Sequence, residues 1–339
     1  MNRIIFIAIA NALSLGIAAS PALAQESYPV GNPLGVPVNP TADGAFKPIS
    51  SNVTVYGAIV SAESCSYDAE RGLIVVPNRG VPQPVQTNDA WVSLINHDGS
   101  VHTARWIGVQ LPDERKTLSP PLVLNEPYGS DIVNGILYVA DRDGGTGADD
   151  SSVAVIRKFS MQSGKPIGDV RIEGANWIND IAVKEDGTLY ATQSGEFGVP
   201  NPNPDTWKVW KIAPDGEVTT FVQGPPLNVP NGTAFDPQGN IVVVNFGNAD
   251  VLTFSPSGEL VRTENAAQAG GDGLVIMPDG TTYVSSVVHG GVSRIRPGEP
   301  AELIANNIPG AASMCYDAGA NQLVIPMAAS NGLAFVSLE

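Results

Sequence analysis

Charge, aromatic side chains and cysteine are all scarce in this 339-residue chain: 15% of residues are charged, 6% are aromatic and only two are cysteines. Two cysteines cannot staple a fold of this length, so a hydrophobic core must hold it. Basic residues are few, 18 Lys and Arg against 34 Asp and Glu, for a formal net charge of −16. Such a chain repels phosphate backbones and anionic lipid surfaces, which argues against a nucleic-acid or peripheral-membrane role. From residue 51 onward no long segment has a 3.6-residue apolar period, which excludes a helical bundle. There is no G-x-S-x-G elbow, no H-E-x-x-H, no P-loop and no dinucleotide fingerprint.

Glycine (36) and proline (28) are abundant, close to a fifth of the chain, beside a hydrophobic content of 43%. That is too apolar for disorder and too rich in helix breakers for helices. The N-terminus reads as a secretory signal peptide over residues 1–24: Arg3 supplies the positive start, Ile4 to Ala19 the apolar run, and Ala22-Leu23-Ala24 the small-residue cleavage site. An uncleaved anchor is the alternative. A mature chain starting at Gln25 is expected in the periplasm or outside the cell. Residues 25–50, with prolines at 29, 33, 37, 40 and 48, read as an extended arm.

Beyond residue 51 come short runs rich in Val, Ile, Tyr and Thr, such as LIVVPN, ILYVAD, NIVVVN and QLVIP, punctuated by Asp-Gly and Asn-Gly. Three segments align without gaps. Asn179-Asp180 precedes Asp186-Gly187, Asn231-Gly232 precedes Gln238-Gly239, and Asp272-Gly273 precedes Asp279-Gly280. In each, a polar head stands eight positions before a hairpin glycine. Weaker copies begin at Glu63, Tyr128 and near Ala312. Six copies predict an all-β fold, a six-bladed β-propeller of four-stranded blades over residues 51–339. The last copy has room for three strands, so the segment around Val53–Tyr56 is expected to supply the fourth and close the ring.

Equivalent positions in a propeller converge on the central channel. The heads bring together Glu63, Asn179, Asn231 and Asp272: two carboxylates and two amide carbonyls, with no His or Cys. Such an oxygen-only set suits Ca2+ or another divalent cation, whereas zinc or copper would call for nitrogen or sulfur. The alternative is that Asn and Asp merely shape the turn into the strand.

These heads, in their order and spacing, resemble the SMP-30/gluconolactonase/LRE-like family, related to paraoxonases, diisopropyl fluorophosphatase and strictosidine synthase-like proteins. The resemblance covers about residues 51–339. It implies a six-bladed propeller with a divalent ion, usually calcium, deep in the channel, and hydrolysis of lactones or, in some relatives, phosphotriesters. By position it implies that Glu63, Asn179, Asn231 and Asp272 ligate the ion and that Asp272 is also the candidate base or nucleophile. Water-mediated and covalent routes both remain open.

The chain departs from the family at Trp177, where sugar-lactonase members carry an Arg that binds substrate hydroxyls. A less hydroxylated substrate is therefore expected. The histidine dyad of paraoxonases has no counterpart here: His97 and His102 read as surface residues, and His289 lies on the ligand rim. Trp177, Tyr128, Asn245, His289 and Arg142 are the candidate substrate contacts, with Asn78, Arg79, Asp141, Glu196 and Phe246 on the same rim. Residues 109–126 form a long connection, read as a lid. The acidic run at 141–150 is not an EF-hand, lacking Gly at its sixth position and Glu at its twelfth.

Cys65 lies two residues after its head and Cys315 about three after its own. Blades one and six become neighbours on closure, so the thiols point either toward each other or both away, which makes the pair a disulfide candidate. The function expected is a calcium-dependent, lactonase-type hydrolase acting as a monomer on a small molecule. A phosphotriesterase-like enzyme and a non-catalytic calcium- or ligand-binding propeller are the alternatives.

Overall fold

In the computed structural model, the described residues are 50, 52–56, 59–80, 86–144 and 151–338. The signal peptide (1–24) and all of the proline-rich arm but residue 50 lie outside them, as does 145–150 of the acidic run.

The described residues form six four-stranded antiparallel sheets in sequence order. Blade one runs through Ser66–Asp68, Leu73–Asn78, Trp91–Ile95 and Val101–Ile107; blade two through Ser130–Val133, Ile136–Asp143, Val153–Ser160 and Pro166–Ile172. Blade three comprises Ile181–Val183, Leu189–Gln193, Lys208–Ile212 and Val218–Gln223; blade four Pro230–Phe235, Ile241–Asn245, Asp250–Phe254 and Leu260–Asn265. Blade five comprises Gly271–Ile276, Thr282–Ser286, Val292–Ile295 and Glu302–Ala305. Blade six has Cys315–Asp317, Gln322–Met327 and Gly332–Ser337, and its outermost strand is Val53–Tyr56, paired with Gly332–Ser337 from Val53↔Val336 to Tyr56↔Leu333. The fold is thus a six-bladed β-propeller whose first and last described strands pair in one sheet.

The apolar runs follow from this packing. A second strand is covered by a neighbouring blade on both faces, so it is buried along its length and carries no polar alternation. Leu73 and Val75 pack toward blade two, while Ile74 and Val76 pack toward blade six. Likewise Ile241 and Val243 face blade three, and Val242 and Val244 face blade five. Outer strands such as Pro166–Ile172 alternate or are exposed, because only one side meets the molecule. The hairpins between first and second strands use the expected chemistry. At Gly187, φ is +87°, and the Asp186 carboxylate accepts the Thr188 N–H at 2.8 Å.

Blades one and six, which are separate sheets, are joined by side chains. Cys65 and Cys315 form a disulfide, with Cα atoms 5.5 Å apart. His97 Nδ1 lies 2.7 Å from Asp317 Oδ1, and the Gln322 amide donates to the His97 carbonyl at 2.8 Å. The His97 side chain is 39% exposed, in line with its reading as a surface residue, and it also links two blades whose segments are far apart in sequence.

The lid expected at 109–126 is also corrected. Its short helix, Pro112–Arg115, ends in a fully buried arginine. Arg115 donates to the carbonyls of Gln110 at 3.0 Å, Ala90 at 2.7 Å and Gly108 at 2.7 Å. Asn88 holds the far end through Leu122 O and Leu124 N–H, both at 3.0 Å. The segment is a strap pinned to blade one.

Candidate functional site

The heads lie at one end of the channel because each immediately precedes or begins its innermost strand. Strand register puts the connections between second and third strands at that same end. Asn179 N–H donates to Thr192 O, Pro230 pairs with Asn245, Gly271 pairs with Ser286, and Ala62 bridges Asn78. Phe246, His289, Arg79 and the 194–206 loop therefore share the rim of the heads.

Side chains and backbone stitch adjacent heads together. Ser194 Oγ donates to Pro230 O at 2.8 Å, Ser285 Oγ donates to Ala312 O at 2.8 Å, and Gly129 N–H donates to Asn179 O at 2.8 Å. The glycines after the heads serve this close approach. A Cβ on Gly232 would collide with the Asp272 carbonyl, and one on Gly273 with the Met314 N–H. Asn231-Gly232 and Asp272-Gly273 thus lie inside their strands and not at turns.

Glu63, Asn179, Asn231 and Asp272 are buried, at 6%, 7%, 4% and 4% exposure. Each keeps one oxygen without a hydrogen-bond donor: Glu63 Oε2, Asn179 Oδ1, Asn231 Oδ1 and Asp272 Oδ1. The amide nitrogens point elsewhere, Asn231 Nδ2 to Asp272 Oδ2 at 3.2 Å and Asn179 Nδ2 to Ser194 Oγ at 3.4 Å. Four orphaned oxygens around one axis would be costly without a cation, since each buried acceptor forfeits its hydration. Among the described residues no three His, Cys, Asp or Glu come together, so amide oxygens must complete any metal site. The donor chemistry fits a hard, oxygen-seeking ion such as calcium.

The electrostatics agree. Burial pushes Asp272 up to about 7, against the lowering effects of the Asn231 amide and Arg79. Burial, and then the Asp272 charge, raise Glu63 well above the usual carboxylate range, with Arg79 opposing. Asp180, just below the quartet, is pushed up to about 8 by burial, although Thr233 N–H donates to it at 2.8 Å. It faces the other end of the channel, where Asp131, Asp180, Thr233 and Ser313 line a cavity of about 220 Å³.

The remaining sequence candidates divide. Trp177 and Tyr128 meet on the ligand rim with ring centroids 5.3 Å apart. Tyr128 OH donates to Glu126 Oε1 at 2.8 Å, and Arg142 Nε donates to Glu126 Oε2 at 2.7 Å. Arg79 lies over the Tyr128 ring at 5.2 Å and donates to Ser61 O at 3.1 Å. His289 is exposed on the rim, its backbone N–H held by Ser286 Oγ at 3.1 Å. Asn245 differs from its assignment as a substrate contact. It is fully buried, accepts from Asn228 N–H at 3.0 Å and donates to Pro226 O at 3.3 Å. Asn78, at the end of its second strand, and Asp141, two residues before the end of its own, do the same, accepting from Val60 N–H at 3.0 Å and Asn125 N–H at 3.1 Å. These polar residues hold the loops that lead into the innermost strands. Sequence reading missed Phe197, whose ring lies 6.3 Å from Trp177 and 5.9 Å from Phe246. Its only signal was an aromatic residue in a Gly- and Pro-rich loop.

Residues 124–329 match the family model described as the SMP-30/gluconolactonase/LRE-like region. The chain belongs to this family. Three members of the quartet lie inside the matched stretch, and Glu63 precedes it. Among solved structures, this SMP-30/gluconolactonase/LRE-like propeller is similar to a gluconolactonase from Xanthomonas campestris, with a TM-score of 0.58 and 17% identity over 92% of this chain and 99% of that one. It is also similar to virginiamycin B lyase from Staphylococcus aureus, with a TM-score of 0.55 and 12% identity over 85% of this chain and 99% of that one. At these identities the likeness is one of fold. A comparison with curated proteins returns no match.

Proposed function

We propose that this protein is an exported, calcium-dependent hydrolase that opens a lactone or a similar ester. The observation that carries the reading is the set of four buried, unpartnered oxygens on Glu63, Asn179, Asn231 and Asp272. Those residues would hold the cation. When bound, it supplies Lewis-acid polarisation of a substrate carbonyl.

The chain's own residues supply the rest. Asp272 Oδ2 accepts the Asn231 amide, which fixes the carboxylate and leaves Oδ1 directed away from that bond. Oδ1 can take a proton from a water aimed at the carbonyl carbon; in a second, covalent route Oδ1 adds to that carbon and the ring C–O bond breaks to an alkoxide that takes a proton from water. The resulting hydroxide then hydrolyses the aspartyl anhydride and restores the carboxylate. In the first route the acyl C–O bond breaks, the alkoxide regains the proton and a hydroxy acid leaves. Asn231 is a positioning residue. Arg79 favours the ionised forms of both carboxylates, the forms needed for holding a cation and for accepting a proton. Burial keeps competing bulk water away from the reacting group. The Cys65–Cys315 disulfide supports export, because such bonds persist in oxidising compartments.

The test is acid release in a pH-stat from a panel of lactones, using the chain from Gln25, with calcium or after chelation, and Asp272→Ala alongside. Calcium-dependent turnover that the variant loses is the expected result. Absence of turnover on every lactone, with calcium still raising the melting temperature, would refute the lactonase reading while retaining the metal site.

A further inference from the structure

We propose that the substrate carries an apolar arm, seated on a band of aromatic rings at the channel mouth; this rests on the hydrolase reading above and names its substrate class. The band runs Tyr128, Trp177, Phe197, Phe246, with successive centroids 5.3, 6.3 and 5.9 Å apart. The four rings come from separate connections in blades two, three and four. They meet because register places those connections at the same rim. The band starts at the quartet, since Trp177 stands two residues before Asn179 and the N–H of Gly129, next to Tyr128, donates to Asn179 O at 2.8 Å. At its other end Phe246 N–H donates to Val229 O at 2.9 Å, two residues before Asn231, and between the two ends the band opens to water, where Phe197 is 47% exposed and Val199 in the same loop is 50% exposed.

A ring band that only completed the core would be covered. This one is packed ring on ring along the rim beside Asn179 and Asn231 and stays open to water at Phe197. A polyhydroxylated lactone needs a donor or acceptor for each hydroxyl, and aromatic faces supply none. An alkyl or aryl substituent needs just such faces. The charged groups Arg79, Glu126 and Arg142 gather around Tyr128, and Glu196 beside Phe197 accepts Asn203 N–H at 2.9 Å, so the faces of Trp177, Phe197 and Phe246 are left to the apolar arm.

The experiment compares kcat/KM for δ-valerolactone, δ-decalactone and glucono-1,5-lactone on the calcium-loaded chain from Gln25. Burying a pentyl arm is expected to raise kcat/KM about tenfold or more over δ-valerolactone, mostly through KM, with glucono-1,5-lactone the poorest substrate. Phe197→Ala and Trp177→Ala should each reduce the δ-decalactone to δ-valerolactone ratio severalfold. Equal rates for the two alkyl lactones, or preference for glucono-1,5-lactone, would overturn the inference and leave the hydrolase reading standing. If no lactone turns over, binding of 2-pentylcyclopentanone against cyclopentanone, followed by tryptophan fluorescence, still decides. Tighter binding of the pentyl ketone, weakened by Phe197→Ala, supports the arm site; equal binding overturns it.

Discussion

Calcium should stabilise this protein much more at pH 8.0 than at pH 5.5. In the cation-free fold, Asp272 has its pKa raised from the ordinary 3.8 to about 7 by burial. A carboxyl group raised in the folded state contributes stability that is fully present below the unfolded value and is lost as pH rises through the folded value. Glu63 and Asp180 are raised as well and act with the same sign. For Asp272 alone, linkage at about 1.36 kcal/mol per pH unit makes the cation-free fold roughly 2 kcal/mol less stable at pH 8.0 than at pH 5.5. At about 2–4 °C per kcal/mol for a domain of this class, that is roughly 4–8 °C in Tm. Calcium reverses the loss by holding the carboxylates ionised, and at pH 5.5 it must first displace their protons. The assay is thermal unfolding of metal-stripped protein from Gln25, with and without 1 mM calcium, at both pH values. Asp272→Asn serves as the control that removes this titration. An equal calcium shift at both pH values in the native protein would refute the reasoning, as would a variant that keeps the full pH dependence.

Replacing both Cys65 and Cys315 with Ser should lower stability by about 2–5 kcal/mol and cause non-reducing and reducing melts to coincide, since the disulfide closes a separation of 250 residues. Gly232→Ala should cost about 1–3 kcal/mol and weaken calcium binding, because the added methyl group meets the Asp272 carbonyl; melts and calcium titration check both effects. Asn245→Ala should destabilise by about 1–3 kcal/mol by leaving the Asn228 N–H without its acceptor, with calcium affinity retained in a titration calorimeter. His97→Ala should lower Tm by removing one link between blades one and six, the disulfide remaining, while leaving kcat unchanged, since its partner Asp317 is at the far end of its strand from the heads.

Local pattern was sufficient for much of this molecule. Hairpin glycines, β-branched runs and the eightfold offset between head and glycine are written in contiguous residues, so the blades, their number and the closure by Val53–Tyr56 could be read directly. Glu63, Asn179, Asn231 and Asp272 were legible as a set because a repeat carries one position to the same place in every blade. Which polar rim residues face the channel was not legible. Asn78, Asp141 and Asn245 look like mouth residues in sequence, yet their side chains accept from the backbone of the loops leading into the innermost strands. Arg115 falls in the stretch read as a lid and lies buried among carbonyls. Phe197 is one residue in a loop until register brings it against Trp177 and Phe246. Repeat position thus determined what converges on the axis, whereas long-range packing decided which hydrogen bonds are satisfied, which oxygens remain bare and which rings meet, because those depend on neighbours tens to hundreds of residues away.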